Sequence, residues 1–192
     1  TPTQYQEARK AYCEFLLLER RTVTDALTDS KLDIEKQLLR VEISSIGTVH
    51  HSAFRNVTNA VQLAAEVQRI HNLPSRYRGV VPLSPVVISA KAGSGKTWAT
   101  KQMRHTIART VMEAPHSGVE VPLLIPVQQL VTLICEDDEF EDLIERFIKG
   151  LTGHDFGRAP QAAEMLLVAA RMKTIILIID GIDEVGEKVS PR

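Results

Sequence analysis

Residues 86–97 read VVISAKAGSGKT, a short run of β-forming residues followed at once by a glycine-rich loop that ends in Lys-Thr. From Ala90 to Thr97 the loop matches the phosphate-binding pattern G-x-x-x-x-G-K-[ST], except that alanine replaces the first glycine. Gly93 and Gly95 allow backbone conformations that a Cβ would hinder, so successive N–H groups can surround phosphate oxygens. The stretch therefore predicts a strand, a loop and a helix that together bind a nucleotide phosphate.

The residues of this loop have separate predicted roles. Lys96 brings a positive charge to the β and γ phosphates and is one of the predicted catalytic residues, and the Thr97 hydroxyl is placed to ligate Mg²⁺. A helix predicted over residues 96–113 directs its N-terminus, with its partial positive charge, at the same anion. The predicted nucleotide-binding residues are Ala90, Lys91, Ala92, Gly93, Ser94, Gly95, Lys96, Thr97 and Trp98.

A second motif, of acidic residues, follows the apolar run IILII at residues 175–179. Because α/β sheets bind ligands at the carboxyl ends of their strands, Asp180 is the predicted acid that holds Mg²⁺, through a water or together with Thr97. Hydrolysis of a γ-phosphate also needs a group that orients the attacking water. We favour Glu184 for that role, with Asp183 as the alternative. Both residues could instead belong to a solvated turn after the strand and have no catalytic role.

Composition excludes several other classes of protein. The 192 residues are 44% hydrophobic and carry a net charge of −1, so there is enough apolar material for a core and no overall attraction to nucleic acid or to an anionic membrane. No apolar run approaches the roughly 18 residues of a membrane span. The two cysteines make no disulfide framework and fit a reducing compartment. We therefore expect a cytoplasmic protein.

The chain divides by pattern into two regions. Residues 1–79 read as a helical region of three helices with a linker, because apolar positions recur at helix spacing in three stretches. The second stretch contains Leu27, Ile34, Leu38 and Val41. Core packing of these helices is favoured over a partner-docking adaptor. Residues 80–192 alternate apolar strands with helices, which predicts an α/β domain with a parallel sheet covered on both faces. Its predicted strands are residues 86–90, 121–127 and 174–180, and its predicted helices are residues 96–113, 136–151 and 160–173.

Taken together, the motifs resemble a known family. AKAGSGKT, the strand VPLLIPV followed by Gln-Gln-Leu, and IILIIDGIDEV are similar to the NACHT module of the STAND class of P-loop NTPases, relatives of AAA+ proteins. In that family four apolar residues typically precede D-G-x-D-E, the pattern found here from Asp180 to Glu184. The resemblance covers roughly residues 80–187 and is specific at the two Walker motifs.

The resemblance implies a three-layer α/β/α P-loop fold and an ATP- or ADP-controlled switch within a larger multidomain protein. Such a module binds Mg²⁺ with the nucleotide, hydrolyses ATP slowly, and controls self-association or the binding of protein partners. In the family's sheet order, the strand between the two Walker strands comes later in sequence. We therefore expect an incomplete sheet here, and the start at Thr1 rather than methionine suggests part of a longer polypeptide.

Three alternatives remain open on the sequence. One is a turnover ATPase of AAA+ type, which would hydrolyse ATP continuously. Another is a GTP-binding P-loop protein, although the base-reading motif N-K-x-D is absent from these 192 residues. The last is a scaffold whose loop is vestigial, against which the intact Gly95, Lys96, Thr97 and Asp180 argue.

Overall fold

The computed structural model divides into two compact units. One comprises Thr1–Glu19 and Ala108–Arg192, and the other comprises Arg20–Ile107. The structure describes residues 1–19, 22–24, 31–36, 42–45, 57–71, 86–89, 95–114, 120–135, 139–151 and 161–182. In chain order the elements are α1 (Pro2–Leu18), β1 (Thr22–Thr24), β2 (Lys31–Asp33), β3 (Glu42–Ser45), α2 (Ala60–His71), β4 (Val86–Ser89), α3 (Lys96–Glu113), β5 (Val121–Pro126), α4 (Val127–Val131), α5 (Phe140–Gly150), α6 (Ala162–Arg171) and β6 (Ile175–Asp180).

The first unit is built on a parallel pair of strands, β5 and β6. Their register runs from Val121 opposite Ile175 to Pro126 opposite Asp180. The N–H of Val121 also donates to the carbonyl of Thr174 at 3.1 Å, just before β6 begins. Both strands are apolar along nearly their whole length, as expected of parallel strands that are covered by other elements. The predicted parallel pairing is confirmed for these two strands.

Helices α1, α5 and α6 supply most of the remaining core of this unit. The N-terminal helix α1 begins with a capping box, in which the Thr1 hydroxyl accepts from the Gln4 N–H. Its Tyr12 hydroxyl donates to the carbonyl of Pro122 in β5 at 2.9 Å, a buried bond. Core packing is thus confirmed for this helix. The buried core residues are Ala8, Tyr12, Cys13, Leu16, Ala108, Val111, Val121, Leu123, Ile125, Leu130, Leu143, Ile144, Phe147, Ile148, Ala162, Met165, Leu166 and Ala169.

The described residues of the second unit form two antiparallel pairs of strands, α2 and the first part of α3. Strands β1 and β2 pair with Thr22 opposite Asp33, and β3 pairs with β4 so that Glu42 lies opposite Ser89. The predicted strand before the glycine-rich loop is therefore confirmed as β4. Its described partner is antiparallel, however, and comes from the N-terminal region rather than from a parallel strand.

The prediction of a second helix in the N-terminal region is wrong. The apolar spacing of Leu27, Ile34, Leu38 and Val41 indicated a helix, whereas residues 22–24, 31–33 and 42–45 are strands. Ile34 lies in a turn after β2, where the Asp33 carboxylate accepts the Glu35 N–H at 2.9 Å. Such local bonds and the β-branched residues of β1 favour strand and turn over helix. Leu27, Leu38 and Val41 lie outside the described residues.

The other predicted helices are present in the structure. The third N-terminal helix is confirmed as α2, and the helix after the glycine-rich loop has the predicted bounds in α3. The predicted helices 136–151 and 160–173 correspond to the shorter α5 and α6. Within the described part of the chain, no helix combines the length and apolar character that crossing a bilayer requires.

Candidate functional site

The end of the glycine-rich loop lies at the start of α3, in the second unit. Gly95 has a φ of 88°, a left-handed conformation that residues with a Cβ rarely adopt. Its carbonyl accepts the N–H of Ala99 at 2.9 Å, so Gly95 directly precedes the first helical turn. The N–H groups of a first helical turn point out of the N-terminal end, where an anion is favoured. This geometry fits the predicted contact between backbone and phosphate.

The three residues after Gly95 form the first turn of α3. Lys96 and Trp98 are half-buried, and Thr97 is exposed. The carbonyl of Thr97 accepts the Thr100 hydroxyl at 2.9 Å, which ties the first turn to the second. A lysine and an exposed threonine thus occupy the two positions after the left-handed glycine.

Further along the helix, two buried polar side chains of α3 contact the turn that follows β2. The amide of Gln102 donates from Nε2 to the carbonyl of Ile34 at 2.8 Å. Three residues later, Nε2 of His105 lies 3.1 Å from Oε1 of Glu35. Sequence reasoning missed both residues, because their partners lie 68 and 70 positions away along the chain. The available signal was two polar residues, spaced by three, on a helix whose other buried residues are apolar except for Thr100.

The acidic motif lies at the carboxyl end of β6, in the first unit. Asp180 is the last residue of the strand and is half-buried. Gly181 follows with a φ of 82°, so the chain leaves the strand in a left-handed conformation. Pro126, the last residue of β5, lies opposite Asp180, and α4 begins at the next residue. Asp180 therefore occupies the edge at which parallel sheets present ligand-binding groups.

The other predicted site residues fall outside the described part of the chain. They are Ala90, Lys91, Ala92, Gly93, Ser94, Asp183 and Glu184. Within the described residues, no group of three or more histidine, cysteine, aspartate or glutamate side chains is arranged to hold a metal ion. The described Mg²⁺ candidates remain Thr97 and Asp180, each positioned within its own unit.

A thiol and a carboxyl group with displaced pKa values lie in the unit that carries Asp180. Burial raises the pKa of the Cys13 thiol to about 12, although the positive charge of Arg9 opposes the shift. The guanidinium of Arg171 donates to the carboxylate of Glu145 at 2.8 and 3.1 Å and lowers the pKa of that carboxyl to about 2. Neither is a predicted site residue, so both report on stability rather than on the site.

Comparison of the chain with models of protein families, with curated proteins and with solved structures found no match.

Proposed function

We propose that this chain contains a nucleotide-binding switch module of the NACHT type, which binds Mg²⁺ with ATP or ADP through residues 90–98. In this proposal the domain has the three-layer α/β/α fold of P-loop NTPases, and slow ATP hydrolysis controls self-association or the binding of protein partners. The observation that carries the proposal is the left-handed Gly95 between β4 and an 18-residue helix whose first residues are Lys96 and Thr97.

The context of the loop supports this reading. A glycine-rich match alone is a weak signal, and it gains weight when a strand precedes it and a helix follows. Here β4 ends at Ser89 and α3 begins at Lys96, so the loop spans the interval in which a phosphate would be bound. The helix is long enough for its N-terminal partial charge to be fully developed.

The position of Asp180 supports the same proposal independently. A carboxylate at the carboxyl end of a parallel strand, followed by a left-handed glycine, is suited to hold a metal ion beyond the sheet edge. Carboxylate and hydroxyl oxygens are hard ligands that suit Mg²⁺. Asp180 and Thr97 would hold the ion, which would neutralise phosphate charge. Glu184, or Asp183 as the rival, would orient the attacking water.

Trp98 offers a direct test of nucleotide binding. It is the only tryptophan in these 192 residues and follows Thr97 immediately, so its fluorescence should respond when phosphates bind at the first turn. We expect Mg-ADP and Mg-ATP to change its emission with a dissociation constant on the order of micromolar or below. Lys96→Ala should weaken binding by about tenfold to a hundredfold, the cost of losing a charged hydrogen bond.

The matched control is Lys101→Ala, which removes the same charge from the next turn of the same helix. It should leave the dissociation constant within about twofold, a change of under 0.5 kcal/mol. Absence of any fluorescence response, together with absence of binding in equilibrium dialysis, would refute the proposal.

Two further measurements separate the switch from its alternatives. Sustained steady-state hydrolysis near or above about one per second would favour a turnover ATPase, and Glu184→Gln should then trap bound ATP. Competition of GTP against ATP decides the base, because a GTP-binding protein would prefer the guanine nucleotide. A switch predicts tight ADP binding and turnover far below that rate.

A further inference from the structure

We infer that Gln102 and His105 are positioning residues that fix the rotation of α3 about its own axis, and so the placement of Lys96 and Thr97. The inference rests on the proposed nucleotide function and adds two residues that would determine how tightly the nucleotide binds. The turn at residues 33–36 is the partner of both side chains. The N-terminal region would thereby set the affinity of the phosphate site.

The two side chains form one stripe on the helix. A separation of three residues places them about 60° apart around the axis, and Gln102 lies roughly 9 Å along the axis from Lys96. Both are buried, with 1% of Gln102 and 6% of His105 exposed. A helix that buries an amide and an imidazole there must give them partners, since an unpaired buried polar group is costly.

Directionality distinguishes these contacts from the apolar packing around them. Apolar burial depends on area and tolerates small rotations, whereas a hydrogen bond needs a narrow range of distance and angle. A rotation of α3 by about 20° would move a group about 6 Å from the axis by roughly 2 Å. That displacement would break both contacts with the turn and would also move Lys96 and Thr97 out of reach of their ligands.

The turn is itself held in one conformation and can serve as a fixed reference. The carboxylate of Asp33 accepts the N–H of Glu35 at 2.9 Å, and the Asp33 carbonyl accepts the N–H of Lys36 at 3.2 Å. Ile34, whose carbonyl receives Gln102, is itself buried. The Ile34 carbonyl that accepts from Gln102 is therefore held by local bonds and by packing, and the local bonds also hold the backbone of Glu35.

The test compares nucleotide binding by Gln102→Leu, Glu35→Ala and Glu35→Gln in the purified protein. The first two remove one contact each, and the third keeps an acceptor opposite His105. We expect Gln102→Leu and Glu35→Ala to raise the dissociation constant of Mg-ADP about tenfold. A rise of that size follows if only about a tenth of the molecules keep α3 in the orientation that binds nucleotide. Glu35→Gln should restore nearly the original value.

Dependence on Mg²⁺ provides a readout that loss of stability alone would not move. The ratio of the dissociation constants of ADP measured without and with Mg²⁺ depends on the proposed contact between Thr97 and Mg²⁺. This ratio should fall towards one in Gln102→Leu and Glu35→Ala. Glu66→Ala is the matched control, because it removes an acid of the same unit that pairs with Arg69 on α2. Circular dichroism without nucleotide verifies that each variant is folded. If Glu35→Ala does not fold, the comparison of Gln102→Leu with the wild-type protein still tests the inference.

The outcomes separate the two claims. A wild-type protein that binds Mg-ADP, with folded variants of unchanged affinity and unchanged Mg²⁺ ratio, would overturn the positioning role and leave the proposed function standing. Equal losses in Glu35→Gln and Glu35→Ala would also overturn the role of the Glu35 acceptor. A wild-type protein that binds no nucleotide would overturn both claims.

Discussion

Replacing Tyr12 by phenylalanine tests whether the N-terminal helix α1 is an integral part of the unit built on β5 and β6. The Tyr12 hydroxyl donates to the Pro122 carbonyl at 2.9 Å across 110 positions of sequence. Only 3% of Tyr12 is exposed, so water cannot replace the lost donor. The substitution removes the hydroxyl that makes this bond and leaves the aromatic ring in place.

The expected cost follows from that geometry. A neutral hydrogen bond contributes about 1 kcal/mol, and leaving a buried acceptor with one bond fewer adds to the loss, so we expect about 1–2 kcal/mol. For a chain of this size, each kcal/mol lowers the midpoint of thermal unfolding by about 2–4 °C. Tyr12→Ala should cost more, about 3–5 kcal/mol, because it also opens a cavity in the core.

Urea unfolding followed by circular dichroism measures these differences. The matched control is Tyr5→Phe, since Tyr5 lies on the same helix, is half-buried, and makes no side-chain hydrogen bond within the described part of the chain. It should change the free energy of unfolding by less than about 0.5 kcal/mol. Equal effects of Tyr5→Phe and Tyr12→Phe would refute the role of the bond between α1 and β5.

Three further predictions concern titration, thiol reactivity and backbone conformation. Because Arg171 lowers the pKa of Glu145 to about 2, this ion pair stabilises the fold above a pH of about 4.5 and loses that effect as the pH falls towards 2. Over that pH range, the urea concentration at the unfolding midpoint should therefore fall less steeply in Arg171→Gln than in the wild-type protein. A colorimetric thiol reagent should find one reactive thiol in the folded protein, the exposed Cys135, and a second after denaturation, the buried Cys13. Gly95→Ala should cost about 1 kcal/mol or more of stability and weaken nucleotide binding, because alanine disfavours a φ of 88°.

Each of these predictions has a control or an outcome that would contradict it. For the backbone, Gly150→Ala at the end of α5 is matched, since a Cβ there meets nothing within 4 Å and the residue has no positive φ. An equal loss in both glycine variants would contradict the conformational argument. Rapid reaction of two thiols in the folded protein would show that Cys13 is accessible. If Arg171→Gln leaves the pH dependence of the urea midpoint unchanged, the ion pair is not the cause of that dependence.

Local patterns predicted the elements that carry the candidate site. The helix after the loop was predictable to its ends, because residues 96–113 contain neither glycine nor proline and follow a glycine-rich loop. Strand β6 was predictable because five apolar residues end at an acid. In both cases the deciding information lies within a few residues of the element itself.

Non-local pairing explains what the sequence could not predict. Strands β1 to β3 contain only three or four residues each, too few for periodicity to separate a strand from a helix. β1 pairs with β2, and β3 pairs with β4, which lies more than forty residues further along the chain. The contacts of Gln102 and His105 belong to the same class, since nothing next to either residue in sequence indicates its partner.

Calorimetric titration of the purified protein with Mg-ADP is the most direct test of nucleotide binding at the glycine-rich loop. We expect about one nucleotide to bind per chain with a dissociation constant on the order of micromolar or below, weakened by Lys96→Ala and preserved by Lys101→Ala. No heat of binding in the wild-type protein under conditions in which it is folded, or equal affinity in the Lys96→Ala variant, would contradict this expectation.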